Sequence, residues 1–214
     1  CIETHYIEIL LERIVMQISK NHIKRNITNA ALKLFKAKDY SSVSMREIAS
    51  EAQVGLSNIY NYFRSKDELF CHIVQPAVSS FERMLEEHHG YEGKDIMEMQ
   101  SEKYLLYTVS EYLKIINKHG EEISILFFKA NGSSLQNFKE EFTEKSTFFV
   151  RSYFEKQKIL HPEINIDISD FFIHLHCVWM FTLIEELLMH GVEYSSMEKI
   201  VNEYIRFEIS GWKT

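Results

Sequence analysis

Proline, glycine and cysteine are all scarce in this chain. Only 2 prolines and 7 glycines occur among 214 residues, which is too few for the many turns of an all-β domain. The cysteines Cys1, Cys71 and Cys177 are odd in number and far apart. We therefore expect neither a disulfide framework nor a CxxC metal site, and a reducing cytoplasm is the expected location.

Long apolar runs and common catalytic motifs are also missing. No uninterrupted apolar run approaches the ~18–20 residues that a membrane-spanning helix needs. Glu3, Glu8 and Glu12 make the N-terminal segment unlike a signal peptide. The sequence has no Gly-rich phosphate loop, no HExxH and no GxSxG. We therefore expect no membrane partner, no cofactor and no catalytic residues.

Two groups of histidines are the remaining candidates for metal binding or catalysis. On a helix, His174 and Cys177 share a face but His176 does not, and no carboxyl group lies beside them at a useful spacing. We interpret these residues as core or interface residues and expect no metal site. His88 and His89 lie near a predicted helix end and are expected to be solvated.

The residues that are abundant indicate a helical protein. Stretches rich in Leu, Ile, Glu, Lys and Phe favour helices, and a hydrophobic content of 45% supports a sizeable core. The predicted fold class is all-α. Residues 1–15 are open to two interpretations, an extension before a native start at Met16 or a genuine extra helix. The second has support from the roughly helical spacing of Tyr6, Ile9, Leu10, Arg13 and Ile14.

Charge divides the chain into a basic and an acidic part. Residues 20–75 hold nine Lys or Arg against five Asp or Glu, whereas residues 76–214 hold 14 against 23. The overall net charge of −7 conceals this asymmetry. A basic module joined to an acidic one is typical of a protein whose one end approaches phosphates, although surface variation alone can produce such a window.

A helix-turn-helix pattern begins at Ile23. Turn-favouring residues at 38–42 end the first helix, and Ser44-Met45-Arg46-Glu47 then matches a capping box that starts a second helix through Ala52. Ala52-Gln53-Val54-Gly55 supplies a tight turn with a glycine. The first helix is predicted from the spacing of Ile23, Ile27, Ala30, Ala31, Leu34 and Phe35.

The third helix, Leu56 to Phe63, is polar and aromatic for its size. Ile59 and Phe63 are four residues apart and are expected to face the core. The outward side chains are small polar groups that can reach base edges, and phenols that can donate to phosphate. This is typical of a recognition helix, although a short helix of a bundle could share the pattern. The outward residues are Ser57, Asn58, Tyr60, Asn61 and Tyr62.

The stretch Ser44–Phe70 resembles the TetR family of bacterial regulators. The family pattern has Ser or Thr before Arg-x-Ile-Ala, then a helix ending Leu-Tyr-x-Tyr/His-Phe, then Ser-Lys-Glu-Glu-Leu. The corresponding segments here are Ser44, residues 46–49 (REIA), residues 59–63 (IYNYF) and residues 65–69 (SKDEL). Gly55 stands where the family often has a capping Ser or Thr, and Ser57-Asn58 replaces Gly-Thr, so no operator sequence can be transferred.

The resemblance implies roles for individual residues. It implies that Ser44, Arg46, Tyr60, Tyr62 and Lys66 contact the phosphate backbone. It implies that bases are faced by Leu56, Ser57, Asn58 and Asn61. Lys66 has separate support, because Ser65 can cap the following helix and a helix N-terminus attracts phosphate. For Asp67 and Glu68 we favour stabilisation of that helix.

The domain organisation follows from these patterns. We expect a three-helix DNA-binding domain at 16–65 and a helical domain at 66–214. Helices are predicted through residue 89 with a bend at Pro76, and at about 95–118 ended by Gly120. Further helices are predicted at about 121–130, about 134–160, about 167–190 ended by Gly191, and about 196–209.

The resemblance implies that the second domain binds an effector and dimerises through its last two long helices. An apolar surface there would include Phe171, Phe172, Leu175, Val178, Trp179, Thr182 and Leu183, with a second stripe at Ile200, Tyr204 and Phe207. High aromatic density fits an apolar pocket, although plain core packing is an alternative for each residue. The predicted pocket residues are Tyr104, Tyr107, Phe127, Phe148, His174 and Trp179.

The leading hypothesis is a homodimeric regulator, with repression favoured by the resemblance. It would bind a near-palindromic double-stranded DNA operator and be released by a small apolar or aromatic effector. The alternative is a TetR-like DNA-binding protein without an effector, such as an architectural or division-linked factor.

Overall fold

The computed structural model describes residues 2–90, 93–163 and 167–211. Side chains are described within these ranges except at 2–12, 14, 15, 210 and 211. The described part contains helices and no strand, which confirms the all-α prediction. The helices are α1 (Ile2–Ala37), α2 (Met45–Glu51), α3 (Leu56–Ile59), α4 (Lys66–His89), α5 (Ile96–Met99), α6 (Glu102–Phe128), α7 (Phe138–Leu160), α8 (Asp170–Met189) and α9 (Tyr194–Gly211), with a 3-10 turn at Tyr40–Ser42.

The chain forms two compact units. The first comprises residues 1–73 together with 128–134, and the second comprises 74–127 together with 135–214. The boundary in the structure lies inside α4, eight residues beyond the sequence-based boundary at 65/66. The sequence pattern did not assign 128–134 to the first unit.

In the first unit, α1 contributes to the core only in its second half. Ile27, Ala31 and Phe35 are fully buried, whereas Met16 and Ile18 are exposed. The backbone of residues 2–15 is helical and continuous with the rest of α1. The side chains that suggested a separate helix, Arg13 excepted, lie outside the described residues.

Three aromatic rings join α1, the 3-10 turn and α4 in the first unit. Phe70 lies edge-on to Phe35 at a centroid distance of 5.2 Å and to Tyr40 at 5.1 Å. Phe35 and Tyr40 stack at 5.9 Å. Such pairs add about 0.5–1.5 kcal/mol each beyond the apolar area that they bury. This cluster fixes the frame on which α2 and α3 are held.

The segment 128–134 is anchored to this frame by hydrogen bonds. The Tyr40 N–H donates to the Lys129 carbonyl at 2.8 Å, and the Ser134 N–H donates to the Asp67 carboxylate at 2.9 Å. Burial alone would raise the pKa of Asp67, but the hydrogen bonds from Ser134 outweigh it and lower that pKa. Asp67 therefore acts as an acceptor for a distant loop as well as a residue of the first turn of α4.

The second unit is built around a cluster of phenylalanine rings. Phe81, Phe138, Phe142 and Phe181 lie in mutual contact at centroid distances of 5.5–6.2 Å, with Phe127 beside them. These residues come from four helices that are far apart in sequence. The cluster is therefore a core that forms only when α4, α6, α7 and α8 assemble.

Two helix ends predicted from glycines have a counterpart in the structure. Gly191 has a φ of +56 and follows α8, and the Gly191 and Val192 N–H groups donate to Leu188 and Leu187 carbonyls. This is a Schellman motif, so the predicted end is confirmed. The predicted end near Gly120 corresponds to a kink in α6, where His119 has a non-helical backbone (φ −126, ψ 17) between two helical segments.

Among the described residues, α8 is the one helix with the length and mean hydropathy of a membrane span. About a third of it is buried inside the protein. Ile173, Phe181, Ile184 and Leu187 form the buried face, and α8 packs along α7. Helices of soluble proteins can pass the same test of length and composition.

Replacing Asp67 tests the anchor of segment 128–134. We expect Asp67→Ala to lower the free energy of unfolding by about 1–3 kcal/mol, because the Ser134 N–H loses its charged acceptor. The matched control is Asp39→Ala, which removes an exposed ion pair of 3.4 Å to Lys129 and is expected to cost at most about 1 kcal/mol. Urea denaturation measures both, and equal effects would contradict the anchoring role.

Candidate functional site: a DNA-binding motif and a buried cavity

The start of α2 is fixed by the predicted capping box. The Ser44 Oγ accepts the Glu47 N–H at 3.2 Å, and the Glu47 carboxylate accepts the Ser44 N–H at 2.8 Å. Lys38 donates to the same carboxylate at 2.8 Å. The hydrogen bond from Lys38, followed by those from Ser44, lowers the pKa of Glu47 to about 2. Arg46, the second residue of α2, is exposed.

The turn between α2 and α3 uses a different residue from the one that the sequence suggested. Gln53 has a φ of +55 and takes the left-handed conformation, whereas Gly55 has a φ of −66 that any residue can adopt. Gly55 is instead the N-cap of α3, and no side chain caps this helix. The turn therefore places a strained glutamine where a glycine would be easier.

The α-helical part of the third helix is shorter than predicted, ending at Ile59. The Phe63 N–H still donates to the Ile59 carbonyl at 3.0 Å, so the turn continues. Ile59 and Phe63 are buried, which confirms their predicted inward orientation. The outward residues form one surface in which Ser57, Tyr60 and Asn61 are exposed and Leu56, Asn58 and Tyr62 are half-buried.

Lys66 links the first turn of α4 to the 3-10 turn. Its ammonium donates to the carbonyls of Tyr40 and Val43, each at 2.8 Å, and lies 4.1 Å from the Tyr40 ring centroid. Burial lowers the pKa of Lys66, although the charge of Glu47 acts in the opposite direction. Two of its three N–H groups are thus engaged. Ser65 accepts the Glu68 N–H at 3.0 Å, which confirms the predicted cap of α4.

The surroundings of this motif are basic. Residues 13–38 hold seven Lys or Arg and no Asp or Glu. Two of these lysines make ion pairs, Lys33 with Glu51 at 2.5 Å and Lys38 with Glu47 at 2.8 Å. Lys20 and Arg25 are exposed. A capped helix, a tight turn and a short outward polar helix in basic surroundings define a helix-turn-helix DNA-binding domain, and with the helical second unit they define a transcriptional regulator.

Comparisons with known proteins agree with this class. The family described as "Bacterial regulatory proteins, tetR family" matches residues 27–73. The "Probable HTH-type transcriptional regulator YttP" of Bacillus subtilis is 21% identical over 80% of this chain and 82% of that protein. A putative TetR-family regulator from Syntrophomonas wolfei shares the fold, with a TM-score of 0.62 and 17% identity over 89% of this chain and 96% of the other.

A third protein of similar fold was solved with a ligand. The regulator FadR from Bacillus subtilis in complex with stearoyl-CoA has a TM-score of 0.57 and 14% identity, covering 85% of this chain and 96% of FadR. Residues 27–73 therefore form a DNA-binding domain of the TetR type, and the chain has the fold of the TetR-family regulators named above.

The second unit contains a cavity of about 160 Å³. Most of its wall is apolar, with polar groups gathered from α4, α6, α8 and α9. The lining comprises Phe81, Met84, Leu85, His88, His89, Ile96, Met99, Gln100, Tyr104, Thr108, Tyr112, Phe142, Ser146, Val150, Phe154, Ile168, His176, Cys177, Met180, Ile205, Glu208 and Ile209.

Of the six predicted pocket residues, only Tyr104 lines this cavity. The Tyr107 hydroxyl donates to Glu87 at 3.1 Å, and Phe127 belongs to the phenylalanine cluster. His174 stacks on Phe171. The other two, Phe148 and Trp179, are 68% and 38% exposed. The aromatic side chains that line the wall are instead Phe81, Tyr112, Phe142 and Phe154.

The prediction that His88 and His89 are solvated is wrong. His88 is buried, its Nε2 lies 2.6 Å from the Glu111 carboxylate, and its Nδ1 contacts the Tyr104 hydroxyl. His89 lines the cavity, and burial followed by the charges of His88 and His176 lowers its pKa to about 3. A signal was present in the sequence, because residues 81, 84, 85 and 88 follow the i, i+3, i+4, i+7 spacing of a buried helix face.

Another part of the cavity wall carries a second polar group. Glu208 on α9 lies with its Oε1 3.1 Å from Nδ1 of His176 on α8. Burial, followed by the charge of Glu208, raises the pKa of Cys177 to about 11, so this thiol is protonated at neutral pH. Within the described part of the chain, no three His, Cys, Asp or Glu side chains are grouped to hold a metal ion.

Replacing Gly55 tests the missing cap of α3. Gly55→Ser is expected to raise the free energy of unfolding by about 0.5–1 kcal/mol, because serine caps helices and restricts the unfolded chain. An added Cβ would meet only the Ser57 Oγ at 3.8 Å. Thermal unfolding measures the change.

The control for this substitution is Gly191→Ser. An added Cβ meets nothing within 4 Å there, but the φ of +56 requires the left-handed conformation. We expect a loss of about 1 kcal/mol. A shift of the same sign in both variants would show that backbone conformation does not decide the outcome.

Proposed function

We propose that this protein is a cytoplasmic homodimeric repressor that binds a near-palindromic operator and is released by a small-molecule effector. The observation that carries this proposal is the outward polar and aromatic surface of α3, held by the Ser44–Glu47 capping box. Bases would be read by Leu56, Ser57, Asn58 and Asn61. Phosphates would be contacted by Ser44, Arg46, Tyr60, Tyr62 and Lys66.

The geometry of the asparagines supports base reading. The Asn61 amide donates to the Asn58 Oδ1 at 3.3 Å, which orients the Asn58 side chain and leaves its own amide N–H groups for a base edge. Asparagine is suited to a bidentate pair with adenine. Lys66 has one N–H beyond those given to Tyr40 and Val43, so its proposed phosphate contact would be a single hydrogen bond from a fixed ammonium.

Two substitutions separate base reading from phosphate binding. On an operator selected from random DNA, Asn58→Ala should weaken binding about tenfold and relax preference at one base position. Arg46→Ala should weaken binding to all sequences and reduce the salt slope by about 1. Asn117→Ala, on the exposed face of α6, is the control. Unchanged affinity of both variants in a salt titration would refute the proposed interface.

The dimer is proposed from the exposed apolar face of the last two helices. Phe171 and Phe207 are each 70% exposed. Phe172, Val178 and Trp179 extend the face along α8. Such a surface on a soluble DNA-binding protein needs a cover, and a second copy supplies it symmetrically. A two-fold dimer also presents two recognition helices to two half-sites.

A charge placed on this face should prevent dimerisation. We expect Trp179→Glu to be monomeric at micromolar concentration in light scattering after gel filtration, because a buried carboxylate would have no partner in an apolar interface. Ile18→Glu, at an exposed apolar position of the first unit, should remain dimeric. A dimeric Trp179→Glu protein would place the interface elsewhere.

The effector response is proposed from the cavity in the second unit. A cavity with apolar walls and a few convergent polar groups is the usual form of a small-molecule site. The related FadR fold was solved with stearoyl-CoA. An effector that binds the DNA-free conformation more tightly must lower DNA affinity by the same factor. The polar groups that line this cavity could bind the polar part of a ligand, so we favour the ligand-responsive alternative.

A further inference from the structure

One wall of the cavity has hydrogen-bonding capacity that the protein does not use. The Glu208 side chain is 8% exposed and lines the cavity, and its Oε1 accepts no hydrogen bond although His176 Nδ1 lies 3.1 Å away. The Tyr204 hydroxyl, one helical turn earlier on α9, is buried beside the Glu208 carboxylate. Buried polar atoms without partners are costly in a folded protein. A ligand with a donor group would supply the missing partner.

The charges around the cavity favour a cation over an anion. Among the described residues of its wall, none is a lysine or an arginine. His88 is already engaged by Glu111 and Tyr104, and burial keeps His89 neutral at physiological pH. The third histidine of the wall, His176, faces Glu208 itself at 3.1 Å. A carboxylate or phosphate would therefore meet the Glu208 carboxyl group without a lysine or arginine to balance it. An ammonium group would be attracted to the same place.

The remainder of the wall fits an apolar body of limited size. Phe81, Phe142 and Phe154 line the cavity, and aromatic faces also attract cations. The volume of about 160 Å³ is close to the roughly 150 Å³ of a cavity that holds one benzene molecule. The size therefore suits a single ring with a short substituent.

We propose that the effector class is a small lipophilic amine, bound with its ammonium group at Glu208 and its apolar body against the phenylalanine rings. This inference deepens the proposed effector response and rests on it for its biological meaning. The binding itself requires only the second unit's cavity. It is therefore measured without DNA.

The first experiment compares three probes of similar shape by calorimetry on the full-length protein. The probes are 2-phenylethylamine, 2-phenylethanol and 3-phenylpropanoate, which carry a positive, a neutral and a negative polar end. We expect the amine to bind at least about tenfold more tightly than the alcohol, and the carboxylate not to bind. Tightest binding by the carboxylate, or binding of no probe at millimolar concentration, would overturn the proposal.

The second experiment removes the charge of Glu208. Glu208→Gln should weaken amine binding at least about tenfold while changing alcohol binding little. Glu203→Gln, exposed on the same helix, is the matched control and should bind all probes as the unaltered protein does. Thermal unfolding checks that both variants are folded. An unchanged preference for the amine in Glu208→Gln would refute the role of this residue.

The two proposals can fail separately. Operator binding by the ligand-free protein, together with no amine binding, would reject the effector class and leave the DNA-binding proposal intact. Amine binding that depends on Glu208, together with no operator binding, would reject the DNA-binding proposal alone.

Discussion

Tyr40 makes contacts of four kinds, and the geometry of the DNA-binding unit depends on them together. Its ring packs against Phe35 and Phe70, its N–H donates to the Lys129 carbonyl, and its carbonyl accepts the Lys66 ammonium. Burial, followed by the charge of Asp67 and a hydrogen bond to it, raises the pKa of the phenol to about 12. The hydroxyl therefore stays protonated at neutral pH and can donate a hydrogen bond. Contacts from α1, α4 and segment 128–134 all meet at Tyr40.

The contacts of Tyr40 matter for the motif that they support. The capped start of α2 is tied to the end of α1 through Glu47 and Lys38, and the first turn of α4 is tied to the 3-10 turn through Lys66. Between these fixed points α3 is short and lacks a side-chain cap. Its outward residues are thus positioned by neighbouring elements more than by their own helix. A recognition surface of this kind relies on tertiary support, because so short a helix is unstable alone.

Local signals explain how much could be predicted from the sequence. Capping of α2 and α4 and the inward orientation of Ile59 and Phe63 depend on residues at most four positions apart, and these predictions are confirmed. The partners of Lys66 lie 23 and 26 residues away, and Glu208 meets His176 only across two packed helices. Aromatic density indicated a pocket in the second unit but not which face of each helix would line it. The position of His88 near a helix end favours a solvated side chain, whereas its spacing from Phe81 and Leu85 favours the buried position that it has.

Segment 128–134 gives the DNA-binding unit a discontinuous sequence. The chain passes between the two units at 73/74, at 127/128 and again at 134/135. A fragment ending at residue 73 would leave the Tyr40 N–H without its acceptor and the Asp67 carboxylate without its donor. Recombination that exchanged only the N-terminal part between relatives would combine residue 40 of one protein with segment 128–134 of the other. Compatible residues are therefore needed at both places in the chain.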